Sequence, residues 1–297
     1  MIERSSEQHF VPLGNEREIH LRRFPGDGPV LLLLHGAIEN GRIFYSRSGR
    51  GLAPWLAEQG FDVWVMDLGG RGDSRPAIAE GIPYSQTESI TQEIPAVMDY
   101  LASQRPGAGL HWIAHSWGGV MMTAVLARFP ERAERIRSMV FFGSKRRVRV
   151  WNWRRILYVD VIWCWLSPLI TRLVGYLPAR RLRFGSDDES RLTHAQGALW
   201  VRKTHWIDPK DGFDYRAALA KQSLPPTLYL AGRGDHALGH PGDVQRLMVE
   251  SGQGEQQLLL LSRENGHHRD YGHIDMLTAP EAVDDHFPAV LDWLRRY

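Results

Sequence analysis

The chain has 297 residues, 43% of them hydrophobic and 24% charged, which excludes wholesale disorder and supplies enough apolar material for a sizeable core. A formal net charge of +2 excludes a strongly basic nucleic-acid-binding chain, so no nucleic-acid partner is expected. The single cysteine, Cys164, excludes an internal disulfide framework and any cysteine-rich metal site. The stretch from Met1 to Phe10 has no apolar run with a small-residue cleavage pattern, so no signal peptide is expected. With one thiol, a reducing cytoplasm is the expected location.

In chain order, residues Phe10 to Leu21 fit an antiparallel hairpin at a sheet edge. Six short apolar runs then read as strands buried on both faces of a parallel sheet: Val30–Leu34, Phe61–Met66, Leu110–Ala114, Ser138–Phe142, Thr227–Ala231 and Gln257–Leu261. Helical periodicity falls between and after them, over Leu52–Gln59, Glu88–Gln104, Trp117–Phe129, Asp243–Glu250 and Pro280–Arg296. Strands alternating with helices predict an α/β chain with a mostly parallel, doubly wound sheet.

The middle of the chain breaks this rhythm. From Lys145 to Arg183 there are ten Lys or Arg and one acid, a local net of +9, and six of the eleven tryptophans lie between Trp151 and Trp206. Residues 145–214 therefore read as an insertion with its own task, dividing a core of residues 1–144 and 215–297. Its most apolar part, 156–174, contains Asp160, Pro168 and Arg172 and is not read as a membrane span. No histidine spacing suits a metal site, no phosphate-binding loop is present, and no cofactor is expected.

Ala114-His115-Ser116-Trp117-Gly118-Gly119 follows the third apolar run and opens a helical pattern. It fits a nucleophile elbow with Ala in place of the first Gly. A sharp strand-to-helix turn tolerates only small flanking residues, and it holds the serine at a helix N-terminus, where amides and dipole favour negative charge.

With that motif the chain resembles the α/β-hydrolase superfamily, over nearly its full length, as a serine esterase or lipase. Leu34-His35-Gly36-Ala37 is similar to the family's His-Gly oxyanion turn. The resemblance implies the Ala37 and Trp117 amides as oxyanion donors, with Ile38 the runner-up and His35 structural. Asp67-Leu68-Gly69-Gly70-Arg71-Gly72-Asp73-Ser74 looks like a structural turn of the family, tied down by Asp67. The family places its acid and base after the serine. That order implies Asp235, in Ala231-Gly232-Arg233-Gly234-Asp235, as acid and His273, in Gly272-His273-Ile274-Asp275, as base. Asp243 is the nearest rival acid but reads as a helix N-cap; His236, His267 and His268 read as loop residues. A serine at the nucleophile position argues against the branches that use aspartate there for epoxide or carbon–halogen chemistry.

The resemblance also gives the inserted segment a role as a helical cap over the site. Trp151, Trp163 and Trp165 could line an acyl pocket together with Ile38, or pack the cap onto the core. Rings flanked by arginines also resemble an interfacial membrane element, so peripheral membrane contact is an expectation; a solvated basic face or attraction of an anionic substrate would use the same charges. The expected activity is hydrolysis of a carboxylic ester, small or lipid-like, with a hydrophobic acyl chain, through an acyl-enzyme. The same triad could serve a thioesterase, lactonase, amidase, carbon–carbon hydrolase or acyltransferase. The other class of reading is a non-catalytic lipid- or membrane-binding protein on this fold.

Overall fold

The computed structural model describes residues 6–297; Met1 to Ser5, part of the stretch read for a signal peptide, lie outside the described residues. The six apolar runs form strands: β3 (Val30–Leu34), β4 (Asp62–Met66), β5 (Leu110–His115), β6 (Ile136–Phe142), β9 (Thr227–Gly232) and β10 (Gln256–Leu261). Before them β1 (Glu7–Gly14) and β2 (Arg17–Phe24) make the expected edge hairpin. Eight strands join in the order β1-β2-β4-β3-β5-β6-β9-β10, antiparallel as far as β4 and parallel from there on. Alternate side chains feed two cores. Leu32, Leu34, Trp64 and Met66 pack into one layer, and Leu31, Leu33, Val63 and Val65 into the other.

Helices α1 (Leu52–Glu58), α2 (Ile94–Gln104) and α3 (Trp117–Arg128) connect the parallel strands. The chain between β6 and β9 leaves the sheet. It forms a continuous helical run, α4 (Trp153–Val174), then a two-stranded antiparallel ribbon of β7 (Tyr176–Leu177) and β8 (Glu189–Ser190), then α5 (Arg191–Arg202). Helix α6 (Pro241–Glu250) and the C-terminal α7 (Phe287–Arg296) complete the layers.

Two expectations need correction. The last helix is not one piece from Pro280. It breaks at His286 between Ala282–Asp285 and α7, because Pro288 lacks an N–H and its ring would collide with a helical carbonyl four residues earlier. Asp243 is not the cap of α6. His240 is, accepting the Gly242 N–H at 3.1 Å, while Asp243 is buried and accepts the Arg149 and Val150 amides.

The ribbon and α5 are fastened to the core through buried polar contacts. Arg71 pairs with Glu189, Asn40 donates to Asp187 at 2.9 Å, and Gln86 meets Gln196 and the Thr193 carbonyl. Arg146, fully buried, binds Glu250 and the carbonyls of Trp200, Lys203 and Thr204.

Candidate active site

The parallel strands deliver their C-terminal ends to one edge of the sheet, where ligands of open α/β sheets bind. Ser116 stands there, between β5 and α3. Its backbone takes φ 51° and ψ −118°, a strained conformation for a non-glycine residue. The turn holds because the Ser116 amide donates to the Phe142 carbonyl at 2.8 Å. It also needs a small residue at 118, since a Cβ on Gly118 would lie 2.5 Å from the Leu34 carbonyl oxygen and 2.6 Å from that of His35. Likewise a Cβ on Gly36 would meet the Ser116 Cβ at 2.8 Å, so the β3 and β5 turns can touch only through glycine.

Asp235 follows β9 and His273 follows β10, and both reach Ser116. His273 Nε2 is 2.8 Å from Ser116 Oγ, and His273 Nδ1 is 2.6 Å from Asp235 Oδ2. The other carboxylate oxygen of Asp235 accepts the Ala237 and Leu238 amides. Burial alone would raise the Asp235 carboxyl, but the charge and hydrogen bond of His273 and the charge of Lys145 outweigh it and hold it below the ordinary carboxylate range. Burial lowers His273 from its ordinary value, against the opposing pull of Asp235. A neutral imidazole with its proton on Nδ1 leaves Nε2 free to accept from the serine hydroxyl. That is the geometry a general base requires.

The turn after β3 frames the opposite side. The Gly36 amide donates to Glu39 at 2.9 Å and the Ile38 amide to Glu189 at 3.2 Å, so Ile38 is engaged by the ribbon and Ala37 lies between two occupied donors. At the start of α3 the Trp117 amide has no intrahelical acceptor, as for every first-turn N–H. Its indole is buried and fixed by Gln86 at 2.9 Å.

Three further residues belong to this floor. Glu39 accepts from His115 Nδ1 at 2.8 Å, and His115 Nε2 meets the His273 carbonyl at 2.9 Å, with the two rings 4.7 Å apart. Burial acts to raise Glu39, but His115, His273 and the Gly36 amide together bring it down to about 2. Lys145, three residues beyond β6, donates from Nζ to Ser116 Oγ at 2.9 Å and is buried. Burial lowers its ammonium against the charges of Asp235, Glu39 and Asp243.

The rival residues have other partners. His267 and the His268 amide bind Asp285, and the His236 carbonyl accepts from Asn152. His35 is fully buried; its Nε2 accepts the Leu68 amide at 3.1 Å. Asp67 takes up His20 and the Gly41 and Asp73 amides, which ties down the turn after β4. His20, Asp67 and Asp73 are also close enough to share a cation, but those bonds already occupy both Asp67 oxygens.

The tryptophans of the inserted segment part company. Trp151 and Trp165 are 74% and 72% exposed, and the structure does not bring them to Ser116. Trp163 points inward, with its ring 4.5 Å from that of His194 on α5. Helix α4 carries apolar residues at every fourth position, namely Trp153, Leu157, Val161, Trp165, Leu169 and Leu173, all exposed. By length and composition this 22-residue helix, whose most apolar 18-residue window has a mean hydropathy of 1.4, could cross a membrane, which differs from the reading of the sequence alone. Two of the interruptions are accommodated within it: Arg155 pairs with Asp160 at 3.2 Å, and Pro168 sits in the first turn of its last section. Its other side packs on the protein through Val159, Ser167 and Thr171.

A sequence model described as alpha/beta hydrolase fold matches residues 29–251. Human gastric triacylglycerol lipase is 28% identical over 120 residues, covering 38% of this chain and 30% of that protein. Mouse bifunctional epoxide hydrolase 2 is 34% identical over 116 residues, covering 38% of this chain and 19% of that protein. The match thus spans a third or less of the length of these relatives. Among solved structures, carboxylesterase CesB (YbfK) from Bacillus subtilis superposes with a TM-score of 0.59 at 20% identity, over 98% of this chain and 92% of that one.

Proposed function

Because the chain belongs to the α/β-hydrolase fold family, we propose that it is a serine hydrolase that cleaves a carboxylic ester with a hydrophobic acyl chain. The observation that carries the proposal is the unbroken chain from Ser116 Oγ to His273 at 2.8 Å and from His273 to Asp235 at 2.6 Å. In this reading Oγ attacks the carbonyl carbon while Nε2 takes its proton. Asp235 keeps the imidazole in the productive tautomer and stabilises its cation. The Ala37 and Trp117 amides receive the developing oxyanion. Nε2 then returns the proton to the leaving alcohol, and water enters by the same route to free the acid from the acyl-enzyme. A serine at this position argues against epoxide opening through an ester on an aspartate. The assembled hydrogen-bond chain argues against a purely binding role.

The second element of the proposal is a lipid surface as the place of work. The exposed stripe of α4 supports it, with Arg149, Arg154 and Arg172 close to it in sequence to meet anionic headgroups. Ser116 is only 6% exposed, and movement of the inserted segment at the lipid surface is the proposed means of widening access to it.

The test is a panel of p-nitrophenyl esters of increasing acyl length, beside a thioester, a lactone and an amide of matched acyl group. The expected result is the highest kcat/KM on a medium- or long-chain ester. A higher value on the thioester, lactone or amide would replace the ester reading while leaving the triad in place.

A further inference from the structure

Lys145 has no part in the mechanism above, yet its ammonium touches the nucleophile. It stands three residues beyond β6, is 8% exposed, and donates from Nζ to Ser116 Oγ at 2.9 Å. Among the described residues no carboxylate forms an ion pair with it, and Ser116 Oγ is its one side-chain acceptor. The nearby acids are otherwise engaged: Asp235 by His273 and two amides, Glu39 by His115 and the Gly36 amide, Asp243 by two amides and Arg246. An ammonium has three donors, so two are left over at the point where an acyl group would be held. Asp235, Glu39 and Asp243 supply charge nearby but no contact, so burying an ammonium with two donors unbonded is costly, and an anionic acceptor arriving with the substrate would offset that cost.

We propose that Lys145 is an anion-recognition residue, and that the substrate carries a carboxylate a few bonds from the scissile carbonyl. This rests on Ser116 being the nucleophile. With the acyl carbon on Oγ, a carboxylate at hydrogen-bond distance from Nζ lies roughly 5 Å from that carbon. The acyl part of a half ester of a short dicarboxylic acid has that reach. The apolar chain then sits on the alcohol part, not on the acyl part as in the reading above, and lengthening the alcohol rather than the acyl chain should raise kcat/KM. The substrate class becomes an amphiphile with an acidic end at Lys145 and an apolar end toward the covering segment. The ammonium stays where it is through the reaction, neutralising the carboxylate while His273 handles the proton.

The experiment compares monohexyl succinate with hexyl levulinate, which replaces the carboxylate by an uncharged acetyl group of similar shape. The wild-type protein should favour the succinate by about tenfold or more in kcat/KM. Lys145→Met should bring that ratio toward one, and Lys145→Arg should keep part of it. A wild-type ratio of one or below overturns the proposal even if the methionine variant does not fold. A ratio unchanged by Lys145→Met overturns it too, and would mean that the lysine acts on the serine alone. Fluorophosphonate labelling of Ser116 in the same samples separates this proposal from the one beneath it: absence of label in the wild type would count against the hydrolase reading itself.

Discussion

Around Ser116, polar groups are buried and bonded to one another, and the backbone is held in a strained turn by contacts less than 3 Å long. Along α4, six apolar side chains at four-residue spacing are exposed. The first region is complete within the chain, and its stability and its chemistry draw on the same contacts. The second leaves its apolar side chains exposed, and we propose that a lipid surface covers them. A soluble fold hides its large apolar residues where it can, so leaving six in one line is a cost that contact with an apolar surface would offset.

The sharpest way to break the contrast is at the triad. Ser116→Ala or His273→Ala should lower kcat by about 10⁴ or more while leaving α4 and its binding to vesicles unchanged. Steady-state kinetics beside vesicle sedimentation checks both halves. Next in size is the fastening between the ribbon and the core. Glu189→Gln leaves Arg71 buried without its counter-charge and one acceptor oxygen where Arg71 and the Ile38 amide used two, which should cost about 3–5 kcal/mol in urea unfolding. An equally large loss of stability on Trp165→Ser would erase the distinction between the regions. That exposed change should alter stability by no more than about 0.5 kcal/mol, yet weaken binding to anionic vesicles by about tenfold.

A pH titration sharpens the same point. His273 must be neutral to act, and burial holds it below its ordinary value of 6.5, so the acid limb of kcat/KM should have its midpoint below that pH. Glu39 lies at about 2 against an ordinary 4.5. Its stabilising contribution is therefore full above pH 4.5 and fades as pH falls toward 2. Activity should disappear before the fold does; coincident loss followed by activity and circular dichroism would contradict that order. The smallest effect expected is that of single arginines near α4. Arg154→Gln or Arg172→Gln should each cost about 1 kcal/mol of vesicle binding at low salt and almost nothing at high salt.

Much of the first region was legible in the sequence. Strands buried on both faces must be continuous apolar runs, so β3, β4, β5, β6 and β9 announced themselves; β10 has an equally apolar run but lies at the sheet edge, where only Leu261 is buried, so the expectation of burial on both faces fails there. Ser116, Asp235 and His273 each follow one of those runs. Lys145 did not show, because it opens the run Lys145-Arg146-Arg147, which reads as solvated charge. Only the pairing of β6 with β5 brings its side chain to Ser116, and that pairing is a long-range fact. Glu39 and His115 were hidden for the same reason, being joined across 76 positions. In α4 the apolar character was plain, but Asp160 and Pro168 masked the unbroken helix. The ion pair with Arg155 and the place of Pro168 in the last section depend on where the helix starts. Trp151 and Trp165 looked like pocket material because a sequence does not show which side of a helical segment meets the core.

Central to the proposed function is Ser116 as the nucleophile, with the inserted segment moving at a lipid surface. The most direct measurement is peptide mapping after treatment with a fluorophosphonate probe, in buffer and with anionic vesicles. A single adduct on Ser116, formed faster with vesicles, is the predicted result. An adduct on another residue, or none on Ser116 under either condition, would contradict the assignment.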